Sequence, residues 1–240
     1  MNLIIDIGNT RSKLALFNSN QLEVKEATQM LTSAQIEKFT EGYTIDNAIL
    51  CAVGPIPNKE LRLPNSTITL DQNTALPIFN KYNSKATLGY DRIASVVGAS
   101  MMITNREILC IDIGTCITYD MLDNKKNYLG GGISPGLDIR FRALNNFTEN
   151  LPLITLDENE YPVLVGTTTE ESIKSGVFNG VLAEINGLII RYQEEYPNVA
   201  IVLTGGNAIL FESYIKSEIF AFPDSVLHGL NAILEYNKSQ

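Results

Sequence analysis

Histidine and cysteine are scarce: the 240 residues hold one His and three Cys. Cys51 and Cys110 sit inside the apolar runs ILCAV and ILCID, where a free thiol behaves as a small buried hydrophobe. The cysteines lack zinc-ligand spacing, and a catalytic thiol would want a histidine partner. The single histidine, His228, reads as an ordinary helix residue near the C-terminus, so thiol and zinc chemistry are set aside. Basic residues are also few, 18 Lys and Arg against 27 Asp and Glu, for a formal net charge of −9. That balance disfavours nucleic acid, whose phosphates need a basic stripe. Long hydrophobic runs are missing too: the apolar stretches are strand-sized, against the ~20 residues that span a bilayer. Leu3 opens a β-pattern without the basic and apolar regions of a signal peptide ahead of it. A cytoplasmic protein with no membrane and no nucleic-acid partner is therefore expected. With 45% hydrophobic and 19% charged residues, the composition is that of an ordinary folded chain.

What is present is a distant internal repeat. Leu3-Ile4-Ile5-Asp6-Ile7-Gly8-Asn9-Thr10 returns as Leu109-Cys110-Ile111-Asp112-Ile113-Gly114-Thr115-Cys116. Each copy runs on into a second β-like stretch, 13–17 and 118–122. Apolar runs joined across a glycine turn read as β-hairpins, each with an Asp at the end of its first strand. The spacing further predicts helices over 33–39, 91–102 and 169–192, the last punctuated by Gly176, Gly180 and Gly187. Strands are expected over 48–53 and 199–203, the latter running into Gly205-Gly206. Mixed β and α in two similar halves argues for α/β layering. The halves are read as domains 1–105 and 106–240, with the active site between them.

An Asp-x-Gly turn lets backbone N–H groups approach a ligand closely, and the Asp can hold a hydrated Mg²⁺. One such turn alone reads better as a solvated β-turn. Two on matching strands, with a third glycine turn at Leu203-Thr204-Gly205-Gly206-Asn207, favour a phosphate clamp. Neither G-x-x-x-x-G-K-[ST] nor G-x-G-x-x-G is present, so Walker and Rossmann phosphate binding are unsupported.

The chain also carries Lys13, Gly89-Tyr90-Asp91-Arg92, Thr118, Gly130-Gly131-Gly132-Ile133-Ser134-Pro135-Gly136 and Gly166-Thr167-Thr168-Thr169. With the two Asp-x-Gly turns, these motifs closely resemble the type III pantothenate kinases, in family order from residue 3 to about 208. That family belongs to the acetate kinase/sugar kinase/Hsp70/actin superfamily. The resemblance implies a duplicated actin-like (ribonuclease H-like) α/β fold and ATP-dependent phosphorylation of pantothenate, the first step of coenzyme A biosynthesis. It also implies a homodimer whose interface borders the substrate pocket.

Carried over by resemblance, the ATP phosphates lie along Asp6, Gly8, Asn9, Thr10 and Lys13, with Asp6 helping to position Mg²⁺ and Thr115 contacting ATP. Asp91 is implied as the general base, with a helix N-cap as its bland alternative. Tyr82, Gly89, Tyr90, Arg92 and Thr169 are implied in the pantothenate pocket, although Thr169 could equally cap a helix. Asp112 is implied as the ligand of a monovalent cation, K⁺ or NH₄⁺. The triple glycine and Pro135 would line the adenosine side; a mobile turn is the bland alternative. Tyr90 and Cys116 depart from the family's smaller residues, and the chain is expected to be short for the family. Two other readings stay open: a non-catalytic ATP-binding regulator of the same fold, and a kinase of the superfamily with a different acceptor.

Overall fold

Both Asp-x-Gly turns close antiparallel strand pairs, as the repeat predicts. The fold is that of a computed structural model describing residues 1–53, 61–157 and 160–238. The first half of the chain runs β1 (Asn2–Ile7), β2 (Ser12–Asn18), β3 (Gln21–Thr28), α1 (Ser33–Phe39), β4 (Asn47–Ala52), β5 (Thr67–Thr69), β6 (Phe79–Asn80) and α2 (Tyr90–Met102). It continues through β7 (Ile108–Ile113), β8 (Cys116–Leu122), β9 (Asn127–Pro135), α3 (Leu137–Asn146), α4 (Thr169–Glu195), β10 (Ala200–Thr204), α5 (Ala208–Glu212), β11 (Phe220–Ala221) and α6 (Ser225–Lys238). The chain divides into two compact units. The first takes residues 1–104, 125–129 and everything from Asp224 onward; the second takes 105–124 and 130–223.

In the first unit β1 is wholly buried, which explains its unbroken apolar run. It pairs antiparallel with β2 and parallel with β4, in a sheet ordered β3-β2-β1-β4-β5. One face carries Leu3, Ile5, Leu14, Leu16 and Leu50 into a core closed by Ile36 and Phe39 of α1. Thr32 and Gln35 form a reciprocal capping box that starts α1 where the spacing predicts. The helices α2 and α6 pack on each other through small residues. A Cβ at Gly229 would collide with the Ala94 carbonyl, and one at Gly98 with the Ser225 carbonyl. The Ser225 hydroxyl donates to the Ser95 carbonyl at 2.7 Å across the same contact.

The second unit repeats the pattern. β7 pairs antiparallel with β8 and parallel with β10, so each repeated Asp sits on a strand flanked by one partner of each sense. Its core joins Leu109, Ile111 and Ile113 to Phe141 of α3 and to one face of α4: Ile173, Val177, Phe178, Val181, Ile185 and Ile189. This spacing keeps α4 continuous for 27 residues although three glycines interrupt its sequence. Among the described residues α4 alone is long and apolar enough to suit a bilayer by composition, a property the expectation of strand-sized runs missed. Its apolar stripe is accounted for by this core. The triple glycine is not a mobile turn: Gly130, Gly131 and Gly132 lie within β9, and a Cβ at Gly131 would run into the Tyr119 backbone of β8.

The close helix contact can be measured. Gly229→Ala should destabilise the protein by about 1–3 kcal/mol, the usual cost of overpacking. Gly187→Ala, where a methyl group meets nothing within 4 Å, should be neutral or stabilise by up to ~1 kcal/mol through helix propensity. Equal denaturation midpoints for the two variants would refute the contact.

Candidate active site

In the first unit the antiparallel register sets Asp6 across from Lys13, and the parallel one sets it beside Cys51. The connecting turn is tied by the Gly8 N–H donating to the Arg11 carbonyl at 3.1 Å, which leaves Asn9 and Thr10 at an exposed tip. Asp6 is buried and Lys13 half-buried. The turn therefore offers exposed backbone and polar side chains ahead of a buried carboxylate, with one ammonium group on the neighbouring strand.

Asp91 does not cap α2. The cap is Gly89, without a side chain to bond, and Asp91 stands in the first helical turn, where a negative charge favours the helix N-terminus. Its Oδ1 accepts the Arg92 N–H at 2.8 Å. A Cβ on Gly89 would come within 2.6 Å of that same oxygen, so glycine keeps room for the carboxylate. Burial pushes the Asp91 carboxyl above its ordinary value, against the lowering effect of the Arg92 N–H and guanidinium. Arg92 is itself buried, its guanidinium 5.8 Å from the centre of the Tyr82 ring. Tyr82 in turn lies 6.2 Å from Tyr128, and Tyr90 opens the helix half-buried. Burial raises the Cys51 thiol, and the charges of Asp6 and Asp91 raise it further. Both carboxylates thus act on one buried group, the nearest link between the turn and the α2 residues. In sequence Cys51 reads only as a core residue, and nothing there marks this second position.

In the second unit three glycine segments meet around Asp112 and Thr115. Asp112 is flanked in register by Thr118 and Thr204. Gly205 adopts φ +98°, and a Cβ there would stand 2.5 Å from Asp112 Oδ1 and from the Ile113 backbone. The Asn207 N–H donates to the Ile113 carbonyl at 2.9 Å, and the Gly136 N–H to the Thr115 carbonyl at 3.0 Å. Motifs beginning at residues 112, 130 and 203 therefore form one backbone cluster. Thr115 is exposed.

Thr169 is the first residue of α4, but Thr168 caps it, its hydroxyl accepting the Glu171 N–H at 3.1 Å. Thr169 instead lines a groove of about 810 Å³ with Arg140, Leu151, Thr167, Ser172 and Ile173. The sequence reading missed Arg140 and its partner Glu184, which share no motif and lie 44 positions apart.

The residues fit hard cations. No cluster of three or more His, Cys, Asp or Glu suited to a metal occurs among the described residues. Asp6, a single buried carboxylate, fits Mg²⁺, which is usually held by one or two carboxylates together with substrate phosphates and water. Asp112, flanked in register by two threonines, is surrounded by side chains whose only donor atoms are oxygens, the donor type hard cations take.

Comparison with known proteins gives a consistent answer. The sequence profile of type III pantothenate kinases matches residues 2–191. A relative from Bacteroides fragilis, named type III pantothenate kinase, is 42% identical over 246 aligned residues covering all of both chains. Measured against this relative, the expected shortness of the chain disappears. Among solved structures, a Campylobacter jejuni protein named for the Baf family of transcriptional activators aligns with a TM-score of 0.63 at 20% identity, covering 99% of this chain and 100% of its own. A ROK family glucokinase from Streptomyces griseus aligns with a TM-score of 0.51 at 12% identity, covering 100% and 99%. At these identities the structures speak for the fold, which is the actin-like sugar-kinase architecture.

Gly205→Ala tests the backbone cluster. With its positive φ and the blocked Cβ position, it should cost about 1–3 kcal/mol in chemical denaturation. Gly206→Ala, next to it and open on all sides, should cost less than about 1 kcal/mol.

Proposed function

The chain belongs to the type III pantothenate kinase family, and from that premise we propose how its residues share the reaction. The enzyme transfers the γ-phosphoryl group of ATP to a hydroxyl of pantothenate, opening coenzyme A biosynthesis. Asp91 is the general base, and the observation that carries this role is its setting: a half-buried carboxylate held at Oδ1 by the Arg92 N–H, with Gly89 leaving space beside it. As the pantothenate oxygen bonds to the γ-phosphorus, its proton passes to Asp91 Oδ2, the bond to the β-phosphate oxygen breaks, and ADP leaves. A loose phosphoryl-transfer transition state needs orientation and late proton removal more than a strong base.

On the first unit the ATP phosphates are assigned to Gly8, Asn9 and Thr10, with Lys13 supplying a local positive charge; on the second unit Thr115 is assigned to ATP by family resemblance. Mg²⁺ carried with ATP would be held by Asp6, and a monovalent cation, K⁺ or NH₄⁺, by Asp112; both supply charge neutralisation that a chain of net charge −9 lacks. Arg92, Tyr82, Gly89 and Tyr90 are assigned to pantothenate on the first unit; on the second unit Thr169, which lines a groove of its own, keeps its pantothenate assignment by family resemblance alone. The Arg92 guanidinium, 5.8 Å from the centre of the Tyr82 ring, is a planar donor suited to an acidic, hydroxylated substrate.

The working form is a cytoplasmic homodimer. Supporting this, Leu164 and Val165 are 78% and 77% exposed beside Val163 and Tyr161, an apolar run that a second copy would cover. Leu164→Glu should shift sedimentation at micromolar concentration to the monomer. An unchanged sedimentation coefficient would place the dimer contact elsewhere, or deny it.

The reaction is tested by ADP release from Mg-ATP, with and without pantothenate, in K⁺ and in Na⁺. Turnover should require pantothenate and rise with K⁺. ATP binding without turnover would instead favour a regulator, and turnover with another acceptor a different kinase. Asp91→Asn should keep ATP binding while kcat falls by roughly 10²-fold or more, the scale of losing a general base. Because the base must be ionised, activity is present above its pKa and lost as pH falls through it. The acid limb of kcat/KM should therefore sit above 3.8, the ordinary aspartate value, and be missing from Asp91→Asn. Near-normal turnover in that variant removes Asp91 from the role.

A further inference from the structure

Three polar side chains from separate elements meet at one carboxylate, Glu184, midway along α4. Its Oε1 accepts the Tyr119 hydroxyl at 3.0 Å and the Ser134 hydroxyl at 2.5 Å, and its Oε2 pairs with the Arg140 guanidinium. Arg140 also donates its Nε–H to the Pro135 carbonyl at 2.8 Å. The next residue, Gly136, donates to the Thr115 carbonyl and lies so close over the Gly114 and Thr115 carbonyls that a Cβ would strike both. Glu184 therefore reaches Thr115 by two routes, one through Ser134 and one through Arg140 and Pro135. Both end on the peptide segment 134–136.

The node is charged at neutral pH. Burial alone would raise the Glu184 carboxyl, but the Ser134, Arg140 and Tyr119 donors outweigh it and hold the group below its ordinary value. Burial and the adjacent carboxylate push the Tyr119 phenol upward, so it stays a donor. A part-buried network with all its members bonded is rigid, and losing one charge loosens every partner.

We propose that Glu184 is a positioning residue for the nucleotide: it fixes the segment Ser134–Gly136, and through Gly136 the turn that carries Thr115. The inference rests on the assignment of Thr115 to ATP made above. Nothing in the sequence announces it, because Glu184 stands in the middle of a helix while the residues it holds follow a different strand.

Steady-state kinetics on the full-length enzyme tests it. Glu184→Gln keeps the shape and removes the charge. It should raise KM for ATP about tenfold, the scale of a lost charged hydrogen bond, and leave kcat and KM for pantothenate within about twofold. Arg140→Gln should act in the same direction, and the double variant should add less than the sum of the single changes, since both break the Glu184–Arg140 ion pair. Should Glu184→Gln fail to fold, Ser134→Ala removes a single bond and should still raise KM for ATP about threefold. A purely structural role would lower the denaturation midpoint and leave KM for ATP untouched, which overturns the proposal. A rise confined to KM for pantothenate also overturns it, since Arg140 would then act through the groove. Thr115→Val serves as the reference. If it raises KM for ATP while Glu184→Gln does not, only the positioning role fails; if neither does, the placement of ATP at Thr115 fails with it.

Discussion

The first unit depends on the near-contact of two helices. Gly98 and Gly229 let α2 and α6 approach until one backbone touches the other, and the Ser225 hydroxyl closes on the Ser95 carbonyl within that contact. This leaves α2 buried along most of its length, from Arg92 to Ala99. A helix so confined has one orientation, and that orientation sets the direction of its first turn. Asp91 and Arg92 are held accurately because the helix behind them cannot shift. Precision at a site thus comes from packing some distance behind it.

The second unit obtains its precision differently. Its cluster around Asp112 and Thr115 is mostly backbone, and the controlling residues are glycines that leave space. Gly136 rests on the carbonyls of residues 114 and 115, while Gly205 rests on the Asp112 carboxylate with a φ that other residues resist. The Gly114, Gly136 and Asn207 N–H groups are spent inside the cluster, on the carbonyls of Cys116, Thr115 and Ile113, so they hold its shape.

Much of this was legible in the sequence where the signal is local. The two hairpins announce themselves because Asp, an apolar residue and Gly follow three apolar residues in both copies, and the observed registers pair Asp6 with Lys13 and Asp112 with Thr118. The helices over 33–39 and 169–192 are readable from their spacing, while their caps, Thr32 with Gln35 and Thr168, come from the structure. Errors arise where the deciding partner is remote. For the three consecutive glycines a mobile turn is the alternative to close approach, and it is β8, lying against Gly131, that makes them a strand. The cap that stands as the alternative role for Asp91 falls away, because Gly89 takes that position and leaves the carboxylate room. The Glu184–Arg140 pair, β3 and the packing of α6 carry no local mark at all. The positions of the candidate residues in the chain were thus open to reading, but the groups that hold them were not.

The route of the chain also sets a timetable. α2 ends at Met102, and the helix that covers it begins at Ser225. At a synthesis rate of 5–20 residues per second, the ribosome takes roughly 6–25 s to cross that interval. Throughout it the small-residue face of α2 has no partner, while strands β7 to β11 and helices α3 to α5 emerge together with all of their own core. The unit that is begun first is therefore finished last, and the helix that carries Asp91 must wait, uncovered, for a segment made after the other unit is complete.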